Sequence, residues 1–423
     1  MDHQFQIPGS YKKWTYGLIG AGIIALLYGL IMYHPFSPVS HGAGHDAHAS
    51  VDGTRFWAVL LQNSVYFLLV VNAAMFFICV TTMAMGGWQV SFRRVSEAIS
   101  AVVPILGVIT FVILMAIVWG GRTDIYHWLD KEAVANDHIL NGKKGFLNPV
   151  FFSVWSFITI FLWWFLGRKM RSMSLESDKK GTMDYNTGKK WIWDNTVWAS
   201  LFTVVFTLTV ASTIPWLWIM SIDAHWYSTM FSWYTFASTF VSGMSLIALF
   251  VIYLKNRGQL EYVTDEHLHD LGKFMFAFSV FWTYLWFSQY MLIWYSNQPE
   301  ETKYFVERIG TAHKAGPYQG IFFFNLVVNF LFPLLVLMTK GSKRNWTMMT
   351  IMAVLVIFGH WIDFFQMVMP GTLHENWQML GFEFGIACLF IGLIMWGVGN
   401  YLSKNSLLAK NHPFLKESMI HHT

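Results

Sequence analysis

His360, Asp363 and Glu383 are the three ionisable residues set deepest within the apolar runs of this chain. An ionised side chain near the middle of a bilayer costs roughly 2.5–3.5 kcal/mol on insertion scales, so such residues persist mainly where they face a cavity, a partner or a pathway. His360 and Asp363 are three apart. On a helix that spacing puts them on one face, where a carboxylate can hold an imidazole or pass it a proton. Glu383 lies in the next apolar run. If the first helix enters near Trp346 and the second starts from the opposite side near Asn376, a rise of ~1.5 Å per residue sets Asp363 and Glu383 both ~10 Å inside the far boundary. The expectation is one proton-handling level shared by His360, Asp363 and Glu383, with His374 and Glu375 in the loop above it. The competing reading is a buried hydrogen-bonded cluster that fixes helix packing.

Three further sets have spacing that bears on chemistry. Asp194 is followed by Thr196, Ser200, Thr203 and Thr207, and a later run holds Ser232, Thr235, Ser238, Ser242 and Ser245. Steps of three and four align each set along one helix face. Small hydroxyl residues so placed allow close helix packing, or a hydrated proton route inward from Asp194. The residues alone leave both open. Trp282, Tyr284, Trp286, Gln289 and Tyr290 are either belt anchors at a membrane interface or the lining of a cleft for a quinone ring or tail. His41, His45 and His48 near Asp46 have no rigid metal-ligand spacing, and the stretch His34 to Thr54 reads as a flexible solvated loop.

The elements that must position these residues are membrane helices. The chain has 423 residues, is 55% hydrophobic and 18% aromatic, and only 12% of it is charged; its mean hydropathy is +0.43. A soluble domain carries about twice that charge. Repeated apolar runs of ~20 residues or more, enough to span a hydrocarbon core, predict an all-α polytopic membrane protein. Ten spans are expected, at 14–34, 55–85, 95–120, 149–167, 191–220, 228–254, 271–295, 318–338, 346–369 and 377–402. Most of the 28 Lys and Arg residues, among them Arg93, Arg94 and Arg171, fall at one set of span ends, which predicts both termini in the cytoplasm. The net charge of +4 follows from that topology and gives no reason to expect nucleic-acid binding. The first apolar run is longer than a signal-peptide core and reads as a retained helix. Both cysteines, Cys79 and Cys388, fall inside spans, so no disulfide framework is expected.

A weak repeat organises the spans. Asn148-Pro149-Val150-Phe151-Phe152 and Tyr318-Gln319-Gly320-Ile321-Phe322-Phe323 each open a span after a long outer segment, four spans apart. The expected plan is a single membrane domain in which 55–220 and 228–369 are parallel four-helix bundles, with 14–34 and 377–402 flanking them.

An iron–sulfur cluster needs about four thiolates, and two separated cysteines cannot supply them. A bis-histidine haem needs paired intramembrane histidines, yet His360 alone lies well within a span; dinucleotide and phosphate-loop fingerprints are lacking. No cofactor bound covalently or by metal ligands is therefore expected, and no metal. Redox work would involve a partner or a lipid-soluble carrier, for which a quinone such as menaquinone is the natural candidate.

The run Phe281-Trp282-Thr283-Tyr284-Leu285-Trp286-Phe287-Ser288-Gln289-Tyr290-Met291-Leu292-Ile293-Trp294-Tyr295-Ser296-Asn297-Gln298-Pro299-Glu300-Glu301-Thr302 resembles the membrane subunits of alternative complex III, a bacterial quinol:cytochrome c oxidoreductase. Arg55-Phe56-Trp57, Phe146-Leu147-Asn148-Pro149-Val150-Phe151-Phe152 and His360-Trp361-Ile362-Asp363 fit it as well, as does the ten-span, two-bundle plan of the polysulfide-reductase-like (NrfD-type) family. Length and motif are more similar to the F-type subunit than to the longer C-type one. The resemblance implies a bacterial inner-membrane subunit that contributes to quinol binding, proton translocation or both. Its implied partners are an iron–sulfur subunit, multihaem cytochrome c subunits and a homologous NrfD-type subunit. The buried acids equally suit a proton-coupled secondary transporter, and the polar groups a purely structural scaffold.

Overall fold

Apolar runs of this length satisfy every backbone donor and acceptor within a helix, the condition for crossing hydrocarbon, and helices are what the computed structural model contains. It describes residues 4–37, 45–179, 181, 183–311 and 313–422. Ten long helices follow one another: α1 Gly9–Met32, α2 His45–Met83, α3 Trp88–Trp119, α4 Pro149–Lys179, α5 Tyr185–Trp218, α6 Met230–Asn256, α7 Asp265–Ser296, α8 Gln319–Leu337, α9 Trp346–Leu373 and α10 Gly381–Lys404. Among the described residues there is no strand. Nine of the ten are long and apolar enough to cross a membrane. The exception is α7, 32 residues long, whose many Trp and Tyr residues lower its hydropathy although it packs lengthwise on α6. His41 lies outside the described residues; the expected loop ends early, because α2 already begins at His45.

Local chemistry sets the helix ends and breaks. Asn345 caps α9 by accepting from the backbone N–H groups of Thr347 and Met348, and Asn297 stops α7 in the left-handed conformation that asparagine tolerates. Proline explains the interruptions, since it lacks an N–H and crowds the preceding turn. In α3 the helix loosens at Ala101–Val102, just before Pro104. In α5 a wide π turn, Thr209–Thr213, precedes Pro215; in α8 another, Val327–Leu331, precedes Pro333.

Packing places α2 and α6 at the centre. α2 touches α3, α5, α6, α9 and α10, while α6 touches α2, α7 and α9. Within 55–220, α4 packs on α3 and α5; within 228–369, α8 packs on α7 and α9. α1 lies along α10 at backbone-close range: a Cβ on Gly22 would sit 2.3 Å from Leu389 Cβ, and one on Gly385 the same distance from Ala25 Cβ. Small residues let these helices approach where hydrocarbon supplies no hydrophobic drive.

Three of the basic residues at these span ends are structural. Arg93 and Arg94 are fully buried with Glu97, Arg93 Nε donating to Glu97 Oε1 at 3.0 Å and Arg94 pairing with both Glu97 and Asp178. Arg171 donates to the Ser100 carbonyl and hydroxyl, each at 3.1 Å. Arg94, through Asp178, and Arg171, through Ser100, tie α3 to α4, while Arg93 turns toward Thr82 of α2 and His412 of the C-terminal segment.

Candidate functional site

The centre of the second set of helices is polar. α9 contributes His360 and Asp363, both fully buried, and α6, α7 and α8 turn their donors onto them. Asp363 Oδ1 accepts from the Tyr234 hydroxyl of α6 and from Asn325 Nδ2 of α8 at 3.0 Å; its Oδ2 accepts from Trp282 Nε1 of α7 at 2.9 Å. Three neutral donors on two oxygens are what a carboxylate requires once water is gone, and hydrogen bonds to a charged group contribute about 1.5–3 kcal/mol each. His360 Nδ1 lies 3.6 Å from Asp363 Oδ2 and 3.0 Å from Ser238 Oγ, while its Nε2 is buried without a hydrogen-bond partner. The Trp282 ring stands edge-on to the imidazole, centroids 5.2 Å apart.

Asn329 of α8 and the hydroxyls of α6 fix this arrangement. Asn329, in the π turn of α8, donates from Nδ2 to Asn325 Oδ1 at 2.7 Å, which turns the Asn325 amide nitrogen toward Asp363. The wide turn brings Asn329 against the backbone of α9 at Gly359, where a Cβ would lie 2.0 Å from Asn329 Oδ1. Glycine is therefore required next to His360. The hydroxyls of α6 support the other side: Ser242 Oγ donates to the Ser238 carbonyl at 2.8 Å and accepts from Tyr66 of α2 at 3.1 Å.

From Asp363 the polar lining continues to one end of the molecule. Tyr234 borders a cavity of about 10 Å³ that Gln289, Tyr304, Arg308 and Gln366 also line. That is room for one water, and Gln289 Nε2 faces burial without a partner. Arg308 Nη2 donates to the Gln366 carbonyl at 2.8 Å, and its guanidinium lies 3.4 Å over the Tyr304 ring. Tyr304 and Arg308 belong to the short helix Pro299–Ile309. At its exposed side Lys303 pairs with Asp223 at 3.2 Å and Glu307 at 3.6 Å. Partial burial works against the Lys303 ammonium, but the two carboxylates outweigh it and raise its pKa.

The structure separates Glu383 from His360 and Asp363. α9 continues for ten residues beyond Asp363 to Leu373, ~15 Å of helix, whereas Glu383 is in the first turn of α10. The expected common level placed the helix boundary too close to Asp363. Glu383 instead accepts from Arg55 Nε at 2.8 Å and from the Leu380 backbone N–H at 2.9 Å, and Arg55 Nη2 lies in ion-pair contact 2.7 Å from its Oε1. Arg55 also donates to Gln378 Oε1 at 3.0 Å. A fixed cation and a helix cap hold this acid.

The α5 hydroxyls lie apart from the polar centre. Thr196 Oγ1 donates to the Ile192 carbonyl at 2.9 Å, Ser200 Oγ to the Thr196 carbonyl at 2.8 Å, and Thr207 Oγ1 to the Thr203 carbonyl at 2.9 Å. Asp194 and Thr203 are half-buried, and Thr207 is on the exposed face. Of the aromatic set, Trp282, Trp286, Gln289 and Tyr290 share the inner face of α7, with Trp286 stacked on Tyr290; Tyr284 points outward. The cavity that Trp286 and Gln289 line, about 10 Å³, is too small for a quinone ring. A larger cleft, about 340 Å³, lies between α2, α6, α9 and α10 and includes Trp361, Phe358, Phe384 and Cys388. Its lining is almost wholly apolar, which suits hydrocarbon and offers little to bond a quinone carbonyl.

Tyr234, Asn325 and Asn329 are the site residues that sequence reasoning missed. Tyr234 falls between Ser232 and Thr235 of the α6 hydroxyl run, and the two asparagines stand four apart in an otherwise apolar span. Paired amides at helical spacing in such a span are the signal that could have found them. Among the described residues no group of three His, Cys, Asp or Glu side chains is placed to hold a metal ion. No protein-family model and no curated protein sequence matches the chain.

Proposed function

We propose that this chain is a membrane subunit of a quinol:cytochrome c oxidoreductase of the alternative complex III type, in which Asp363 and His360 take up and release protons accompanying quinol oxidation elsewhere in the assembly. The observation that carries the reading is a fully buried acid and imidazole, 3.6 Å apart, held by neutral donors with no fixed cation among their hydrogen bonds. Such a pair can change its protonation without breaking an ion pair. The proton moves between Asp363 Oδ2 and His360 Nδ1, groups close enough to meet after a small approach. Tyr234, the water-sized void and the Arg308–Tyr304 shell supply polar groups between Asp363 and the solvent-facing Lys303, Asp223 and Glu307. The resemblance of the α7 motif supports the choice of complex. It also supports the bacterial inner membrane as location, and iron–sulfur, multihaem cytochrome c and homologous membrane subunits as partners. Proton handling, rather than quinol oxidation, is the role assigned to this copy, because its large cleft lacks groups for the quinone carbonyls.

A proton-coupled secondary transporter is the second reading, and one observation favours it. α5 and α8 are interrupted by π turns, and Asn329 of the α8 interruption belongs to the shell around Asp363; interrupted helices facing a buried acid are a transporter device. Gentle purification followed by identification of co-migrating chains distinguishes the two. Multihaem cytochrome and iron–sulfur subunits in fixed stoichiometry are expected. A chain that migrates alone and carries a solute with protons would overturn the proposal.

A further inference from the structure

Where the chain enters α5, a groove of about 780 Å³ runs between the first turns of that helix and the C-terminal segment 410–419. Three ammonium groups border it, Lys189 from α5 and Lys410 and Lys416 from the C-terminal segment, against one carboxylate, Asp184. Asp184 is engaged by Thr187 at the helix start. Between the lysines the surface is apolar, with Ile192 and Met419. His412 adds no positive charge there, since burial and then the neighbouring Arg93 and Arg94 hold its pKa well below the ordinary imidazole value.

The level of the groove is marked by aromatic side chains on the same stretch of α5. Tyr185 is 83% and Trp193 69% exposed, and amphipathic rings of this kind settle at the headgroup layer. A groove that is cationic at its edge, apolar beneath and placed at that layer is complementary to an amphiphile with an anionic head and hydrocarbon tails. We infer that it binds an anionic phospholipid, with Lys189, Lys410 and Lys416 around the phosphate and an acyl chain along Ile192 and Met419. The apolar floor selects a lipid over free phosphate, and the three lysines select an anionic lipid over a zwitterionic one.

The test is native mass spectrometry of the full chain recovered from vesicles of phosphatidylcholine containing phosphatidylglycerol. Wild type retains phosphatidylglycerol. The Lys189→Gln/Lys410→Gln/Lys416→Gln variant binds it about a hundredfold more weakly, because each lysine near an anionic headgroup contributes about fivefold. Lys189→Gln/Lys416→Gln, which leaves the contacts of Lys410 in place, shows a smaller loss at unchanged thermal stability. Lys12→Gln/Lys13→Gln, at the start of α1, retains the lipid fully. Equal retention by wild type and the triple variant would overturn the site. So would retention of phosphatidylcholine as strong as that of phosphatidylglycerol, or displacement of the lipid by millimolar inorganic phosphate.

Discussion

Asp363 and Glu383 look alike along the chain, each a lone acid in an apolar stretch, yet their surroundings differ in kind. Glu383 is neutralised by Arg55, whose guanidinium also lies 5.3 Å over the Tyr33 ring, and it caps the first turn of α10. Asp363 has an imidazole, a phenol, an indole and an amide around it, and among the described residues no lysine or arginine bonds to it. An acid paired with a permanent cation organises structure. An acid held by neutral donors beside an imidazole can exchange its proton. Burial, which both acids share, does not distinguish them; the charge of the partner does.

The largest expected effect breaks the structural half of that comparison. Glu383→Gln leaves the Arg55 guanidinium buried and uncompensated, a loss of about 3–5 kcal/mol, read as a lower unfolding temperature in detergent. Asp363→Asn keeps shape and most acceptor contacts, and its cost is about 1–3 kcal/mol. The reverse ranking in thermal unfolding would mean that the two sites have been assigned the wrong way round.

Two glycines sharpen the same contrast. Gly359→Ala drives a methyl into Asn329 and Val328, and Gly385→Ala drives one into Ala25; each is an overpacking change of about 1–3 kcal/mol. Only the first displaces the amides that orient Asp363, so it should disturb proton release as well as stability. Equal effects of both on proton release would detach Asn329 from the mechanism. The smallest effects compare the hydroxyl runs. Ser238→Ala removes a contact to His360 at a cost of about 1 kcal/mol, whereas Ser200→Ala on α5, whose hydroxyl bonds its own helix and reaches beyond it only to the weak acceptor Met83 Sδ, should shift stability by a few tenths. A proton-release defect from Ser200→Ala with none from Ser238→Ala would restore the α5 route.

Much of the fold is legible in the sequence because length and hydropathy are properties of single segments. All ten long helices fall on expected spans, including α7, whose aromatic content keeps it below the hydropathy of the other nine. The His360–Asp363 pair is legible for the same reason, since its spacing lies within one helix. Its partners are not: Tyr234 and Asp363 meet across 129 residues, and Arg55 and Glu383 across 328. The Glu383 level misled because the depth of a residue depends on where the preceding helix ends, and α9 runs through Pro370 to Leu373. The α5 and α6 hydroxyl runs have the same period, and only the packing of α6 between α2, α7 and α9 turns its run inward.

The central claim is that Asp363 exchanges a proton during turnover, and the most direct measurement is the proton-to-electron ratio of the assembled complex in sealed vesicles. Asp363→Asn should assemble with its partners and oxidise quinol with a lowered ratio. Glu383→Gln, in whatever fraction assembles, should keep the wild-type ratio. An unaltered ratio in a fully assembled Asp363→Asn complex would contradict the account.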